Sequence, residues 1–335
     1  MIRHFRRVLG LVPDPFLFGL VFAAAIGTVL PCSGVWATFF RWLMVLAIGV
    51  MFFMQGVRLS RAAVIAGMTH WRVHLAILAC TFVLYPVLGL ALRAVARPVL
   101  PDQLWIGVVF LCLLPSTVQS SIAYVSIARG NVAAAVCAAT ASNLLGIFIT
   151  PVLASLVLAT SGAGPSFDDV GKIAANILAP FVVGQILQPH LAAWAGRNKA
   201  LLTISDRGAI LLAVYIAFSA AALEGVWNAI PPLSMLYLLG LEAVMLAFVL
   251  AITFYGARAA GFSIEDQIAI VFCGSKKSLA SGAPMASVLF PAATLSVVMI
   301  PLVLFHQMQL VAAAFIAKRL ADDPTRAPAE RPAAP

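Results

Sequence analysis

The chain is a succession of long apolar runs without a formal charge. From Gln103 to Ala128, from Gly130 to Phe167 and from Ser278 to Ala317 there is no Asp, Glu, Lys or Arg. A helix crossing a bilayer needs about 20 apolar residues. With 335 residues, 63% of them hydrophobic and 10% charged, the chain has material for about ten spans and little for an aqueous domain. That excludes a soluble globular enzyme, which carries far more charge. It also excludes a disordered chain, which is poor in apolar residues. The formal charge of +9 does not signal nucleic acid, because that reading needs a basic face on a soluble domain. The lipid bilayer is the expected partner. Cys32, Cys80, Cys112, Cys137 and Cys273 are scattered without paired spacing, so neither a disulfide framework nor a zinc site is expected, and no cofactor is implied.

The apolar runs resolve into ten expected spans, at 15–30, 38–56, 73–94, 104–128, 131–159, 170–189, 208–228, 233–257, 265–290 and 293–317. The first is read as a retained helix rather than a signal peptide, because Asp14 and two prolines interrupt it and no small-residue cleavage site follows. An even number of spans puts both termini on one side. Arg3, Arg6, Arg7, Arg58, Arg61, Arg72, Arg129, Arg197, Lys199, Arg207, Arg258, Lys318, Arg319, Arg326 and Arg331 then share that side, against Arg41, Arg93, Arg97 and Lys172 opposite. Basic residues concentrate in cytoplasmic loops, so both termini are expected in the cytoplasm, with the protein in a bacterial-type inner membrane. Residues 1–14 form the N-terminal segment, 15–318 the ten-helix domain, and 319–335 a Pro/Ala-rich tail expected to be disordered.

Two spans are interrupted. In the fourth, Pro115 is followed by Ser116, Thr117, Gln119, Ser120 and Ser121. Proline removes a backbone hydrogen bond and clashes with the preceding turn, so the helix should unwind near 115–121. Freed backbone groups at membrane depth need a polar or protein-lined setting. The ninth span carries Gly274, Ser275, Lys276, Lys277, Ser278, Ser281, Gly282 and Pro284. Each lysine at the bilayer centre costs about 2.5 to 3.5 kcal/mol on insertion scales. The pair therefore either snorkels to an interface or lines a functional cavity, and the long uncharged flanks favour the cavity.

With five spans per half, the interrupted helices occupy the fourth place of each half, and spans five and ten each hold a mid-span proline, Pro151 and Pro301. Five spans per repeat force opposite orientations, which is the inverted-repeat pattern of secondary transporters. Thr140 and Asn143 in span five, and His306 and Gln307 in span ten, are candidate cavity residues or satisfied buried groups. Glu242 is the one acidic residue placed well inside a span. It is a partner for Lys276 or Lys277, a coupling-ion ligand, or an interfacial group.

Three stretches, LPSTVQSSIAYVSIARGNVAAAVCAATASNLLGIFITP, FCGSKKSLASGAPM and FFMQGVRLS, together resemble the bile acid:sodium symporter superfamily, and within it the bacterial symporter-like branch related to solute carrier family 10. The resemblance covers residues 10–318. It implies an all-α protein of ten helices in two inverted repeats, with helices four and nine crossing. It also implies a core of helices three to five and eight to ten, a panel of helices one, two, six and seven, and substrate bound between them. In sodium-coupled members, side chains after the helix-four proline hold the ion. Ser120 and Ser121 occupy those places here, a vestigial sodium site. The helix-five hydroxyl ligands correspond to Ala135 and Ala139, with Thr140 adjacent. The helix-nine carboxylate falls near Phe272 and the glutamine near Lys276, while the helix-three glutamine corresponds to Thr81. A lysine there supplies positive charge itself and repels a cation.

The expected function is therefore symporter-like secondary transport of a small organic anion by alternating access, coupled to sodium or protons, with Ser116, Thr117, Gln119, Ser120, Ser121, Thr140, Asn143, Lys276, Lys277, Ser278, His306 and Gln307 as binding residues. The alternative is a regulatory membrane protein of cation (calcium) homeostasis, as for some relatives in this branch. An intramembrane enzyme with a Ser/Lys pair lacks an oxyanion site in the sequence, so no enzymatic activity is expected.

Overall fold

The computed structural model describes residues 15–58, 70–159, 167–225 and 230–323. Residues 1–14, Arg61, and the tail from residue 324 on, with Arg326 and Arg331, lie outside the described residues. The described chain is helical throughout: α1 Pro15–Val29, α2 Gly34–Arg58, α3 Trp71–Ala79, a π-helical turn Cys80–Leu84, α4 Tyr85–Ala96, α5 Asp102–Leu113, α6 Gln119–Ile127, α7 Val132–Ala159, α8 Phe167–Arg197, α9 Lys199–Leu223, α10 Pro232–Ala259, α11 Ile264–Gly274, α12 Leu279–Leu289 and α13 Ala292–Ala321. Among the described residues, six segments are long and apolar enough to cross a membrane. Large apolar side chains lie exposed on the outer surface, among them Phe22, Trp36, Trp42, Leu46, Val244 and Val311. A water-soluble surface does not carry apolar exposure on this scale; a lipid-facing one does.

The fourth expected span is split into α5 and α6 at residues 114–118, and the ninth into α11 and α12 at 275–278. The first break is shorter than the sequence suggests. Gln119, Ser120 and Ser121 already form the first turn of α6, because proline disturbs the turn before it rather than the turn after it. The seventh span differs more: α9 begins at Lys199, not near 208, and ends at Leu223. The charges that argued for a loop are accommodated within the helix, since Asp206 pairs with Arg58 of α2 at 2.6 Å.

The helices pack in two groups. In one, α2 lies along α8, and α9 against both α1 and α2; in the other, α13 packs on α5 and α12, and α11 on α3, α6, α7 and α10. The groups meet chiefly where α9 packs on α12 and α13 and α8 on α7. Helices α2 and α8 approach each other closely enough for their backbones to touch. A Cβ built on Gly56 would meet the Phe181 carbonyl oxygen, and one on Gly184 the Phe53 carbonyl oxygen. Glycine pairs of this kind let backbones touch where lipid offers no hydrophobic drive for association. The Gln185 amide donates to the Gly56 carbonyl at the same crossing.

Gly184→Ala should therefore push α2 and α8 apart, at a cost of about 1–3 kcal/mol. Gly49→Ala, where an added Cβ meets nothing within 4 Å, should be neutral or stabilising through helix propensity. Thermal unfolding of the two variants in detergent checks the contrast.

Candidate functional site

The site is built from backbone groups that helix geometry leaves over. Pro115 has no N–H to close the last turn of α5, and Leu114 turns extended, with ψ 153°. The carbonyls of Cys112, Leu113 and Leu114 then lack helical partners. A second source is the π-turn of span three. There Tyr85 N–H bonds back to the Cys80 carbonyl. The next donor that could reach Thr81 O belongs to Pro86, which has no N–H. Two prolines thus leave carbonyls pointing into the protein interior, where they need a donor.

Lys277 is that donor. Its Nζ donates to Thr81 O at 2.8 Å, Cys112 O at 2.8 Å and Leu114 O at 2.7 Å. The ammonium has three N–H groups, and all three are used. Its Nζ also sits 4.2 Å from the Tyr85 ring centroid, and the C-terminal end of α5 directs the negative end of its helix dipole at it. This is a cation-ligand set filled by a cation covalently attached to the chain.

The Lys277 peptide is itself clamped. Gln309 of α13 accepts from Lys277 N through Oε1 at 2.8 Å and donates to Lys277 O through Nε2 at 2.8 Å. Tyr85 donates its hydroxyl to the Ser275 carbonyl. The two breaks also satisfy each other. Ser278 N donates to Pro115 O at 2.9 Å. Ser116 Oγ donates to Cys273 O at 2.5 Å and Ser121 Oγ to Phe272 O at 2.9 Å. Asn143 of α7 joins both, donating to Ser116 O at 2.5 Å and accepting from Ser281 Oγ at 2.5 Å. Ser278 Oγ caps α12 through Ser281 N at 3.1 Å.

Lys276 is treated differently. Its Nζ lies 3.9 Å from the Tyr124 ring centroid and 5.9 Å from that of Phe272, with one long hydrogen bond, 3.4 Å, to Ser120 Oγ. Cation–π contacts hold a cation without using its directed N–H groups. Beside it, Thr117, Ser120 and Ser121 form a chain of hydroxyls, at 2.8 Å from Thr117 to Ser121 and 3.1 Å from Ser120 to Thr117. Both lysines are 1% exposed. Snorkelling to an interface does not describe them.

Of the residues singled out in the sequence, Ser116, Thr117, Ser120, Ser121, Asn143, Lys276, Lys277 and Ser278 meet in this one cluster, with Thr81 contributing its carbonyl rather than its side chain. Gln119 does not belong: it is exposed on α6. Among the described residues, Thr140 is half-buried but makes no side-chain hydrogen bond, and Gln307 keeps both amide atoms buried without a partner. His306 reaches the cluster through Gln309, at 3.1 Å. Glu242 is fully buried, not interfacial, and the pairing with a lysine is not formed. The ion pairs Arg58–Asp206, Arg93–Asp102 and Arg97–Asp102 do not involve it. Sequence reasoning missed Gln309, Tyr85 and Tyr124. Gln309 could have been found from its register, four residues from both Phe305 and Ala313, which are buried on the inner face of α13. Among the described residues no group of three His, Cys, Asp or Glu could hold a metal ion.

Residues 14–322 match the SBF-like CPA transporter family. The chain belongs to this family. It is an integral membrane transporter, not an enzyme. A Pseudomonas aeruginosa protein of uncharacterized function is 50% identical over 325 residues, 96% of this chain and 98% of that protein. The candidate symporter YfeH of Escherichia coli is 46% identical over 307 residues, 91% of this chain and 92% of its own. The Mus musculus sodium/bile acid cotransporter 7 is 27% identical over 269 residues, 79% of each chain. The transporter thus falls within the bile acid:sodium symporter superfamily, as its motifs suggested.

The unequal settings of the two lysines predict unequal stability effects. Lys277→Met strands three buried carbonyls, each at about 1–3 kcal/mol, and should lower the melting temperature in detergent well below that of Lys276→Met. Gln309→Leu, which unpairs the Lys277 peptide, should fall with Lys277→Met.

Proposed function

We propose that the protein is a secondary active transporter of a small organic anion, working by alternating access, in which Lys277 stands where a bound cation would otherwise sit. The observation that carries this reading is the three-carbonyl set around Lys277 Nζ, at the junction of two helix breaks. Carbonyl ends of discontinuous helices are the usual ligands of coupling cations in such transporters. With the ammonium there, sodium is electrostatically excluded, and the transport cycle does not require it. Lys276 is the group for the substrate anion, because its N–H groups are held by a ring face and one long hydrogen bond rather than by carbonyls. Thr117 and Ser120 offer hydroxyls beside it, and α6 and α12 begin next to the cluster with their positive ends.

In this reading the chain makes ten spans as two inverted five-span repeats, α5–α6 and α11–α12 being the paired discontinuous helices. The group α1, α2, α8 and α9 is the panel and the remaining helices the core, with substrate between them. Both termini are cytoplasmic in a bacterial-type inner membrane, as the distribution of arginine and lysine favours.

The test is uptake of labelled anions, taurocholate and a set of mono- and dicarboxylates, into proteoliposomes with and without an inward sodium gradient. Saturable uptake indifferent to sodium is expected, largely lost in Lys276→Gln and Lys277→Gln. If both variants transport like the parent, both lysine roles are wrong. No saturable flux of any anion would favour a regulator of cation homeostasis instead.

A further inference from the structure

Glu242 is the buried charge-bearing group that the site described above leaves unused. It lies on the face of α10 that carries Leu238, Met245, Leu246 and Val249, all buried and apolar. The side chain is 0% exposed, and neither carboxyl oxygen has a hydrogen-bond partner among the described residues. No Lys, Arg or His lies within ion-pair distance of it among the described residues. Of the elements packed on α10, α11 and α13 bring no charged group to it. The Cys112 thiol of α5 packs on the same face of α10: its Sγ is 3.6 Å from Sδ of Met245, three residues along the helix from Glu242. An ionised carboxylate in this setting has neither donor nor countercharge, a strongly disfavoured state. The neutral acid avoids most of that penalty.

Cys112 also connects Glu242 to the lysine cage. Its carbonyl accepts from Lys277 Nζ at 2.8 Å, while its side chain packs on Met245, on the face of α10 that carries Glu242. One residue of α5 therefore touches both the caged ammonium and the face of α10 that carries a carboxyl without solvation. The arrangement resembles one half of a charge switch: a caged ammonium beside a neutral acid.

We propose that Glu242 is the proton-binding site of the transport cycle, so that the coupling ion is a proton. This rests on the transport reading above. In the state described here Glu242 holds its proton. When panel and core part and water enters, the Glu242 O–H bond breaks, the proton passes to water as hydronium, and a carboxylate remains. Lys277, released from the Thr81, Cys112 and Leu114 carbonyls, is the countercharge for it across Cys112. The return step takes a proton from water on the other side and restores both the acid and the cage. Each cycle moves one proton with the anion and leaves the chain unchanged.

Two measurements test this. The first needs no substrate. Infrared difference spectra of the full-length protein in lipid vesicles, stepped from acid to alkaline pH, should contain the C=O stretch of a protonated carboxylic acid, shifted in heavy water. Glu242→Gln should lack it. Identical spectra for parent and variant would overturn the proposal. The second is uptake of the labelled anions into sodium-free proteoliposomes with an inward-acid gradient. The parent should respond to the gradient, Glu242→Gln should lose the response, and Glu242→Asp should recover part of it. A gradient response surviving in Glu242→Gln overturns the proposal. A parent that moves none of the anions defeats the transport reading, and the infrared result then decides proton binding alone.

Discussion

The centre of the molecule is held together by an ammonium in a ring of carbonyls. Lys277 is buried among helix ends that, without it, would present bare C=O groups to an apolar interior. Its charge would be prohibitive at that depth if unpaired, and the carbonyls would be costly if empty. Each defect cancels the other. The cage draws on the π-turn of span three and the end of α5, and the peptide bearing the lysine is gripped from α13 by Gln309. Three separate parts of the chain are therefore tied through one residue, its side chain holding two and its backbone the third.

The same logic explains why the breaks face each other. A helix interrupted in lipid must have its orphaned groups satisfied by protein. Here the carbonyls closing α11 accept from Ser116 and Ser121, and the carbonyl of Pro115 accepts from Ser278. The serines clustered after Pro115 and around the lysines are the donors that make two interrupted helices tolerable. Gly146 contributes by absence: an added Cβ would lie 2.6 Å from Pro115 Cβ, so glycine lets α7 approach the break closely enough for Asn143 to bridge it.

Much of this was legible beforehand, and the misses have physical causes. The first break follows from proline chemistry, a local matter, so Pro115 marks it to within a few residues, whereas Pro284 lies inside α12 rather than at the second break. The charged residues from Lys199 to Arg207 belong to α9 rather than to a loop, because Arg58 and Asp206 neutralise each other between α2 and α9. Gln119 was grouped with its polar neighbours although helical geometry turns it outward from α6. Gln309 was passed over for His306 and Gln307, although only Gln309 shares the inner face with Phe305.

The sequence by itself determined that this is a membrane protein of many apolar helices with two interruptions, and its motifs identified the transporter superfamily. These depend on run length, proline position and local residue order, none of which needs a folded chain. The roles of Lys276 and Lys277 were decided only by tertiary structure. The two residues are identical and adjacent, but neighbouring side chains on non-helical backbone point to opposite sides. One ammonium therefore meets carbonyls contributed from up to 196 residues away in sequence, and the other meets the face of Tyr124. No local pattern encodes that division, because the ligands that distinguish the two lysines are backbone oxygens, which every residue carries.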